Sequence, residues 1–295
     1  MRYPSPLRYP GGKTSLADFL GNVIARNELE KCIYYEPYAG GAGAALSLLQ
    51  RRLVSELYIN DADPRVSAFW RSVLKDTDQF VDRIRTVPLT IQEWHRQHEI
   101  CLRPKGHSRF EVGFAAFFMN RCNRSGVLSG SGPIGGYEQN GKWKMDVRFN
   151  RDGLTERILL IGKNKDCIHV SGEDAIVFLK RKLPGGKGRK RVFVYLDPPY
   201  VNNGQRLYLN AYGPDDHVLL AEYLNGQNIL AWLMSYDDNE LVRKLYARYR
   251  MSLLPIRYSL QQKRVDRELI IAPRDVSMPN ACTVHGHESK LQTAD

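Results

Sequence analysis

The tetrapeptide Asp197-Pro198-Pro199-Tyr200 contains the residues whose types and spacing are best suited to chemistry. It follows Val192 to Leu196, an apolar run with the length of a strand buried on both faces. Two successive prolines lack the N–H groups that a sheet requires, so the strand must end before them. Asp197 is therefore expected at the carboxyl end of a strand, where open α/β sheets bind their ligands.

This tetrapeptide could bind a planar ring that bears an amino group. The Asp197 carboxylate and the Pro198 carbonyl could each accept a hydrogen bond from the same exocyclic amine, and Tyr200 offers a flat face for stacking. An amine held by two acceptors is pushed toward a tetrahedral, nucleophilic nitrogen. The amino groups of adenine and cytosine fit this description. The alternative is an ordinary solvent loop, since Asp-Pro turns after strands are common.

A second candidate site is a predicted strand, glycine turn and helix near the amino terminus. The strand is Ile33 to Ala39, and it leads directly into Gly40-Gly41-Ala42-Gly43. Glycines let a ligand approach the backbone, but Leu46 stands where a dinucleotide fingerprint has its third glycine. A smaller adenosine-bearing cofactor is thus favoured over a dinucleotide. Glu36, near the end of the strand, suits a cationic group better than a pyrophosphate.

Three further charged residues stand where a ligand could use them. Asp61 lies about twenty residues beyond the glycines, where an acid commonly binds ribose hydroxyls, and Asp63 is an alternative that could instead cap a helix. Lys13 is predicted at a helix start, where a cation is unfavourable unless it holds an anion. An exposed loop lysine explains Lys13 equally well. Asp174 could cap the next helix or contact a bound adenine.

Strands and helices alternate in two separate parts of the chain, which predicts one α/β domain in two pieces. These are residues 1–65 and 166–273, and together they predict a mostly parallel sheet that closes with an antiparallel hairpin at 252–258 and 268–272. The inserted segment 66–165 is expected to contain helices at 91–102 and 110–120, followed by a glycine-rich hairpin or loop. Residues 274–295 are polar and are expected to form a flexible tail.

The charge distribution indicates a polyanionic partner. The 295-residue chain has a formal net charge of +11 and a pI near 9.4. Residues 84–165 contain fourteen Lys or Arg against seven Asp or Glu, on a segment able to contact phosphates and base edges. The basic run Lys180 to Arg191 precedes the strand that ends at Asp197, so it is expected at the opposite edge of the sheet, as a solvated turn.

The cysteines and the hydropathy predict a soluble protein of the cytoplasm. The five cysteines are scattered without a C-x-x-C pair, which indicates neither a disulfide framework nor a zinc site and suits a reducing compartment. No apolar run reaches the ~18 residues of a membrane span, so no membrane association is expected.

Five motifs in this order resemble one known family. They read P-L-R-Y-P-G-G-K, E-P-Y-A-G-G-A-G, N-D-A-D, N-R-C-N-R-S-G and D-P-P-Y. The set is similar to the Dam-type adenine-N6 DNA methyltransferases, the alpha-ordered amino-methyltransferases, from the amino terminus to about residue 273. In that order the cofactor motifs come first, the recognition region second and the catalytic tetrapeptide third.

The resemblance implies a Rossmann-like methyltransferase sheet with an inserted, mainly helical DNA-recognition domain that carries a β-hairpin loop. It implies S-adenosylmethionine as cofactor, S-adenosylhomocysteine as product, no metal, and double-stranded DNA as partner. The implied cofactor-binding residues are Tyr9, Lys13, Glu36, Tyr38, Gly40, Gly43, Asp61 and Asp174. A flipped adenine would be bound by Asp197, Pro198 and Tyr200, and the DNA by Asn120, Arg121, Asn123, Arg124 and Ser125.

The serine- and glycine-rich stretch after Gly126 departs from the readers of the GATC sequence, so the recognition sequence is not implied. A restriction or defence-system partner is possible but is not encoded in any motif. Two alternatives remain open. One is methylation of another amine, on RNA, on cytosine or on a protein amide. The other is a DNA-binding regulator that keeps the fold without turnover.

Overall fold

A computed structural model of the chain describes residues 4–8, 13–128, 130–201, 212–227, 230–257, 265–284 and 287–294. The strands are β1 (Cys32–Glu36), β2 (Val54–Asn60), β3 (Ile168–Ser171), β4 (Val192–Leu196), β5 (Ala231–Asp237), β6 (Arg250–Arg257), β7 (Val265–Ala272), β8 (Ala281–Val284), β9 (His287–Lys290) and β10 (Gln292–Thr293). The α-helices are α1 (Ala17–Arg26), α2 (Gly43–Gln50), α3 (Pro64–Lys75), α4 (Thr77–Thr86), α5 (Ile91–Leu102), α6 (Arg109–Cys122), α7 (Arg151–Lys163), α8 (Ala175–Lys182), α9 (Pro214–Asn225) and α10 (Glu240–Leu245).

Eight strands form one sheet in the order β10-β6-β7-β5-β4-β1-β2-β3. The five strands from β3 to β5 are parallel to their neighbours, whereas β7, β6 and β10 are added antiparallel. The predicted Rossmann-like sheet with an antiparallel carboxyl-terminal pair is confirmed. The chain moves outward from β1 in one direction and from β4 in the other, so the carboxyl ends of these two strands form the switch point of the sheet.

The central position of β4 follows from its sequence. All five residues of V-F-V-Y-L are buried, because the strand is covered on both faces. Phe193 and Tyr195 pack into one hydrophobic cluster, and Val192, Val194 and Leu196 pack into the other. Only a helix-covered sheet can bury both faces of a strand in this way. The basic segment 186–191 leads into the amino end of β4, at the edge opposite Asp197, as the sequence predicts.

The insertion is helical and has its own aromatic packing. Phe69 of α3, Phe80 of α4 and Phe117 of α6 lie against one another, with the rings of Phe69 and Phe117 stacked at 5.9 Å. Gly113 lets α6 approach α3, since a Cβ there would lie 2.7 Å from the Ala68 carbonyl oxygen. The predicted helices at 91–102 and 110–120 are confirmed as α5 and as part of α6.

The loop that follows α6 runs from residue 123 to residue 144. It is called the recognition loop below because the resemblance predicts that it reads DNA. It contains a short 3-10 helix at Arg124–Gly126. One isolated antiparallel bridge joins Asn123 to Pro133 near the start of this loop. Its described residues therefore form an irregular loop with a single bridge and not a regular β-hairpin.

Residues 274–295 differ from the expected flexible tail. Strands β8 and β9 pair with each other, and β10 pairs with β6 at the edge of the main sheet. The sequence pattern does not indicate these strands because none is longer than four residues and β9 and β10 are polar. An edge strand is stabilised by main-chain hydrogen bonds rather than by an apolar pattern. No helix in the described part of the chain is long and apolar enough to span a membrane.

Candidate functional site

Asp197 lies directly beyond β4, at the strand end that the sequence predicts. Its Oδ1 accepts a hydrogen bond of 2.8 Å from the Ser235 hydroxyl, and Ser235 is in turn 2.7 Å from the Tyr195 hydroxyl. Ser235 therefore orients the carboxylate. The Asp197 side chain is 19% exposed, so it remains accessible at this edge of the sheet. Pro198 is buried and Tyr200 is half-buried beside it.

Lys13, Tyr200 and Glu268 form a closed ring of hydrogen bonds above Asp197. The Lys13 Nζ lies 2.5 Å from Glu268 Oε1 and 2.6 Å from the Tyr200 hydroxyl, which is 2.8 Å from the same Glu268 oxygen. Asp197 Oδ1 is farther away, at 3.4 Å from Lys13 Nζ and 3.3 Å from the Tyr200 hydroxyl. The tertiary structure therefore joins the amino-terminal lysine, the tetrapeptide and β7 in a single polar cluster.

Burial and the charges of this cluster together set the pKa of Asp197. Burial raises the pKa of Asp197 to about 6, against the lowering effect of Lys13, and the negative charge of Glu268 raises this pKa as well. Asp197 is thus a carboxylate at neutral pH.

Glu268 is a functional candidate that the motifs do not identify, although the sequence contains a signal for it. The sequence predicts Glu268 only as the first residue of a strand. Because β7 runs antiparallel to β5, the start of β7 meets the carboxyl edge of the parallel strands, and Glu268 pairs with Asp237 there. An acid at the beginning of an apolar antiparallel strand is thus delivered to the same edge as Asp197.

The glycine turn has the backbone conformation of a ligand cradle. Gly40 and Ala42 have positive φ angles of 45° and 46°, in the left-handed region. Ala42 is strained there, and such strain is found preferentially at functional sites. The turn is held from outside by Trp70 Nε1, which donates to the Gly40 carbonyl at 2.9 Å, and by the Ser5 hydroxyl, which donates to the Gly41 carbonyl at 2.5 Å.

Replacing Gly43 with Ala is expected to destabilise the protein by about 1–3 kcal/mol through overpacking. A Cβ at this position would lie 2.0 Å from Thr14 Oγ1, so the segment that carries Lys13 must shift. Thermal unfolding measures the loss. The additional change Thr14→Ala removes that oxygen and should restore much of the stability. Gly185→Ala is the control, because a Cβ there meets nothing within 4 Å. Equal losses at Gly43 and Gly185 would contradict the prediction.

Glu36 ends β1, next to β4, and its side chain is only 3% exposed. Its Oε2 has no hydrogen-bond partner among the residues that the structure describes. Burial, followed by the negative charge of Asp197, raises the pKa of Glu36 to about 8. A buried carboxyl in this condition is suited to a cationic ligand.

Asp61 and Asp63 have separate roles. Asp61 Oδ2 accepts the Gly40 N–H at 2.9 Å, so this acid lies against the glycine turn, and burial raises its pKa to about 7. Asp63 caps α3 by accepting the Arg65 N–H, and it forms an ion pair with the Arg65 side chain at 2.7 Å. Asp174 caps α8 through the N–H groups of residues 176 and 177, which is one of the two roles that the sequence predicts for it.

Three of the predicted DNA-binding residues are buried and make hydrogen bonds within the protein. Asn120 holds residue Arg8 by donating to its carbonyl and accepting from its N–H, both at 2.7 Å, and is 1% exposed. Asn123 is fully buried and binds Trp94 Nε1 at 2.7 Å. Arg121 donates to the Arg148 carbonyl at 2.7 Å. These side chains bind backbone and side chains of the protein because the loop needs internal partners once it is packed against α5 and α6.

Arg124 and Ser125 are the exposed members of the predicted DNA-binding set, and Ser125 has a positive φ of 56°. Tyr38 donates to or accepts from Tyr212 at 2.7 Å near the glycine turn. Tyr9 lies outside the described residues. No group of His, Cys, Asp and Glu in the described ranges is arranged to hold a metal ion.

The fold and the site together define a class. The two candidate sites of the sequence lie at the ends of adjacent central strands in a Rossmann-like sheet, with the pattern of an amino-methyltransferase. The family of D12 class N6 adenine-specific DNA methyltransferases has a sequence model that matches residues 9–127 and 136–259. The chain belongs to this family and is an adenine-specific DNA methyltransferase, as the motifs predict. A comparison with curated proteins found no match.

Proposed function

We propose that the protein transfers a methyl group from S-adenosylmethionine to N6 of a flipped adenine in duplex DNA, at a specific site. The adjacency of Glu36 and Asp197 carries this proposal. Glu36 is the last residue of β1, and Asp197 comes directly after β4. The two strands are paired from Ile33 with Val192 to Tyr35 with Val194, and the negative charge of Asp197 raises the pKa of Glu36. A cationic cofactor at one strand end would thereby lie beside a base amine at the next, as methyl transfer between them requires.

The residues around the glycine turn fit S-adenosylmethionine. Glu36, with its buried Oε2, would accept the ammonium group of the methionine moiety, and the backbone from Gly40 to Gly43 would lie against the ligand. Asp61 would bind the ribose hydroxyls beside the turn it already contacts. Lys13, Tyr38 and Asp174 are proposed to complete the site. The cofactor supplies a methyl group that is already activated by the positive charge on sulfur.

The target amine is proposed to bind between Asp197 and the Pro198 carbonyl, with the base stacked on Tyr200. Leaving the DNA stack costs a few kcal/mol, which stacking and these hydrogen bonds offset. S-adenosylmethionine would supply the methyl group, and its sulfur would take the electrons of the broken carbon–sulfur bond. N6 would acquire positive charge as it bonds to the methyl carbon, and would then release one proton to water. The Asp197 carboxylate stabilises that charge, so positioning and electrostatics account for the catalysis.

A cluster of four arginines beside the recognition loop supports DNA as substrate. Arg8, Arg121, Arg148 and Arg157 have no ion pair with any acid in the described part of the chain. Burial and the neighbouring arginines lower the pKa of Arg121 to about 9. Arg8 and Arg157 donate to backbone carbonyls of Asn123 and Ser5, at 3.4 and 3.2 Å. Uncompensated guanidinium groups favour a polyanion. We propose that Arg8, Arg148 and Arg157 face DNA phosphates together with Arg124 and Ser125, and that the buried Arg121 adds to the positive charge there.

Replacing Arg148 and Arg157 together with Ala is expected to weaken DNA binding at all sequences. If each guanidinium binds one phosphate, the slope of log K against log salt concentration should become shallower by about 0.9 for each arginine removed. Fluorescence anisotropy across a salt series measures this slope. The control is Lys187→Ala with Lys190→Ala, which removes two exposed charges near the amino end of β4, at the opposite edge. Equal changes in both double variants would exclude a localised phosphate site.

The direct test of the proposed function is methylation with labelled S-adenosylmethionine and duplex DNA, followed by base analysis. N6-methyladenine in the duplex is the expected product. Label in RNA, in cytosine or in peptide, with none in adenine of DNA, would overturn the proposal. The division into a methyltransferase domain (1–65 and 166–273) and a target-recognition domain (66–165) is likewise a proposal, which limited proteolysis in the presence and absence of DNA would test.

A further inference from the structure

Lys13 presents a charged amine to the same acid that is proposed to bind the target amine. Its Nζ lies between two carboxylates, 2.5 Å from Glu268 Oε1 and 3.4 Å from Asp197 Oδ1. An ammonium group fully paired with Asp197 would occupy the acceptor that adenine N6 needs. The position of this ammonium group therefore affects whether the pocket is available.

The hydrogen-bond ring biases Lys13 toward Glu268. The Tyr200 hydroxyl has one proton, and its shorter contact is to Glu268 Oε1 at 2.8 Å, against 3.3 Å to Asp197. Lys13 donates to this hydroxyl at 2.6 Å, so the short contacts join Lys13, Tyr200 and Glu268, and Asp197 Oδ1 makes the longer ones, at 3.4 Å to Lys13 and 3.3 Å to Tyr200. Asp197 has its own short contact instead, from Ser235 at 2.8 Å.

Glu268 is well placed to hold this arrangement. It is 2% exposed and belongs to β7, where it is fixed by backbone pairing with β5 on one side and β6 on the other. A buried carboxylate on a central strand has little conformational freedom. The Lys13 side chain is long and flexible, so its ammonium group can move toward the carboxylate that attracts it more strongly.

We propose that Glu268 is a positioning residue that holds the Lys13 ammonium group away from Asp197, and so keeps Asp197 available for the target amine. The inference rests on the proposed function and adds a residue to it. If the charge of Glu268 is removed, Asp197 is the carboxylate that Lys13 still contacts among the described residues. Lys13 and the Tyr200 proton would then turn toward Asp197, and the protein would block its own pocket.

The variant Glu268→Gln tests this proposal because it removes the charge and keeps the shape. Single-turnover methylation at saturating cofactor is expected to slow by roughly tenfold to a hundredfold, the range of one hydrogen bond to a charged group. Glu240→Gln is the matched control, since it breaks an exposed ion pair with Lys244 by the same chemical change, and its rate should equal that of the wild type. A wild-type rate in Glu268→Gln would overturn the inference.

The pH profile separates positioning from structural loosening. The charged neighbours of Asp197 are Lys13 and Glu268, and Glu36, Tyr34, Tyr195 and Tyr236 also interact with its charge. Loss of the Glu268 charge and a closer Lys13 both favour the ionised acid, so the acid limb of the rate should shift to lower pH by about one unit in Glu268→Gln. A lower rate at every pH with an unmoved limb would indicate structural damage and overturn the inference.

A conservative variant separates the charge of Glu268 from its packing. Glu268→Asp keeps the charge and should retain more activity than Glu268→Gln, with thermal unfolding as the check on folding. If the wild type methylates no DNA, the proposed function fails and not this inference alone.

Discussion

Replacing Asp197 with Asn is expected to lower the single-turnover rate of adenine methylation by about 10³-fold, the upper range for removing one electrostatic stabiliser of a transition state. The variant retains a side chain of the same shape but lacks the negative charge opposite the nitrogen that becomes positive. Because the wild-type carboxylate is partly desolvated, with its pKa raised to about 6, neutralising it should cost the fold little. Asp197→Ala, which also removes the shape of the side chain, should abolish methylation.

The measurement is a rapid-quench experiment with cofactor and duplex DNA in excess over one turnover. Asp18→Asn is the control because it makes the same chemical change at an exposed acid of α1, which pairs with Arg51 and belongs to neither candidate site. A normal rate in Asp197→Asn, with a normal thermal unfolding temperature, would show that the methyl transfer does not depend on this acid.

Replacing Glu36 with Gln is expected to weaken binding of S-adenosylmethionine by about 10²-fold or more, because a buried ammonium group would lose its charged partner. The same acid predicts a pH dependence with a defined sign. In the free protein the pKa of Glu36 is about 8, so the carboxyl is mostly protonated at pH 7. A bound cation favours the ionised form, so cofactor binding at pH 7 should release close to one proton and should strengthen as pH rises toward 8.

Isothermal titration calorimetry in buffers of different ionisation enthalpy measures that proton release. Asp61 and Asp197, with pKa values raised to about 7 and about 6, are the neighbouring acids that could also respond. The Glu36→Gln variant distinguishes them, since it should abolish most of the release. Glu56→Gln, on the neighbouring strand β2 and exposed beside His169, is the control. Proton uptake on binding, or release that persists in Glu36→Gln, would contradict the assignment.

Several local features of the chain could be predicted because each rests on short-range chemistry. Two prolines end β4 wherever it is packed, so Asp197 had to stand at a strand end. The apolar runs and their alternation with helices similarly predicted the mostly parallel sheet. The order of the five motifs was sufficient to identify the family, which the match over residues 9–127 and 136–259 confirms.

The recognition loop shows what such reasoning leaves undetermined. A motif such as N-R-C-N-R-S-G is polar, and polar residues on a loop suggest a surface that binds DNA. Asn120 and Asn123 are nevertheless buried, since their amides satisfy the backbone of residue Arg8 and the indole N–H of Trp94. Whether a polar side chain binds a ligand or the protein depends on what packs against it, which a linear motif does not contain.

By itself the sequence determined the class of fold, the family, the strand-end position of Asp197 and the glycine turn beside Glu36, because these follow from backbone chemistry and hydrophobic period within a few residues. Only the tertiary structure decided that Lys13 and Glu268, 255 positions apart, meet at Asp197. It also decided that four arginines gather beside the recognition loop and that β8, β9 and β10 form near the carboxyl end. Such contacts depend on strand order and side-chain packing across the whole sheet, and local propensity carries no information about either.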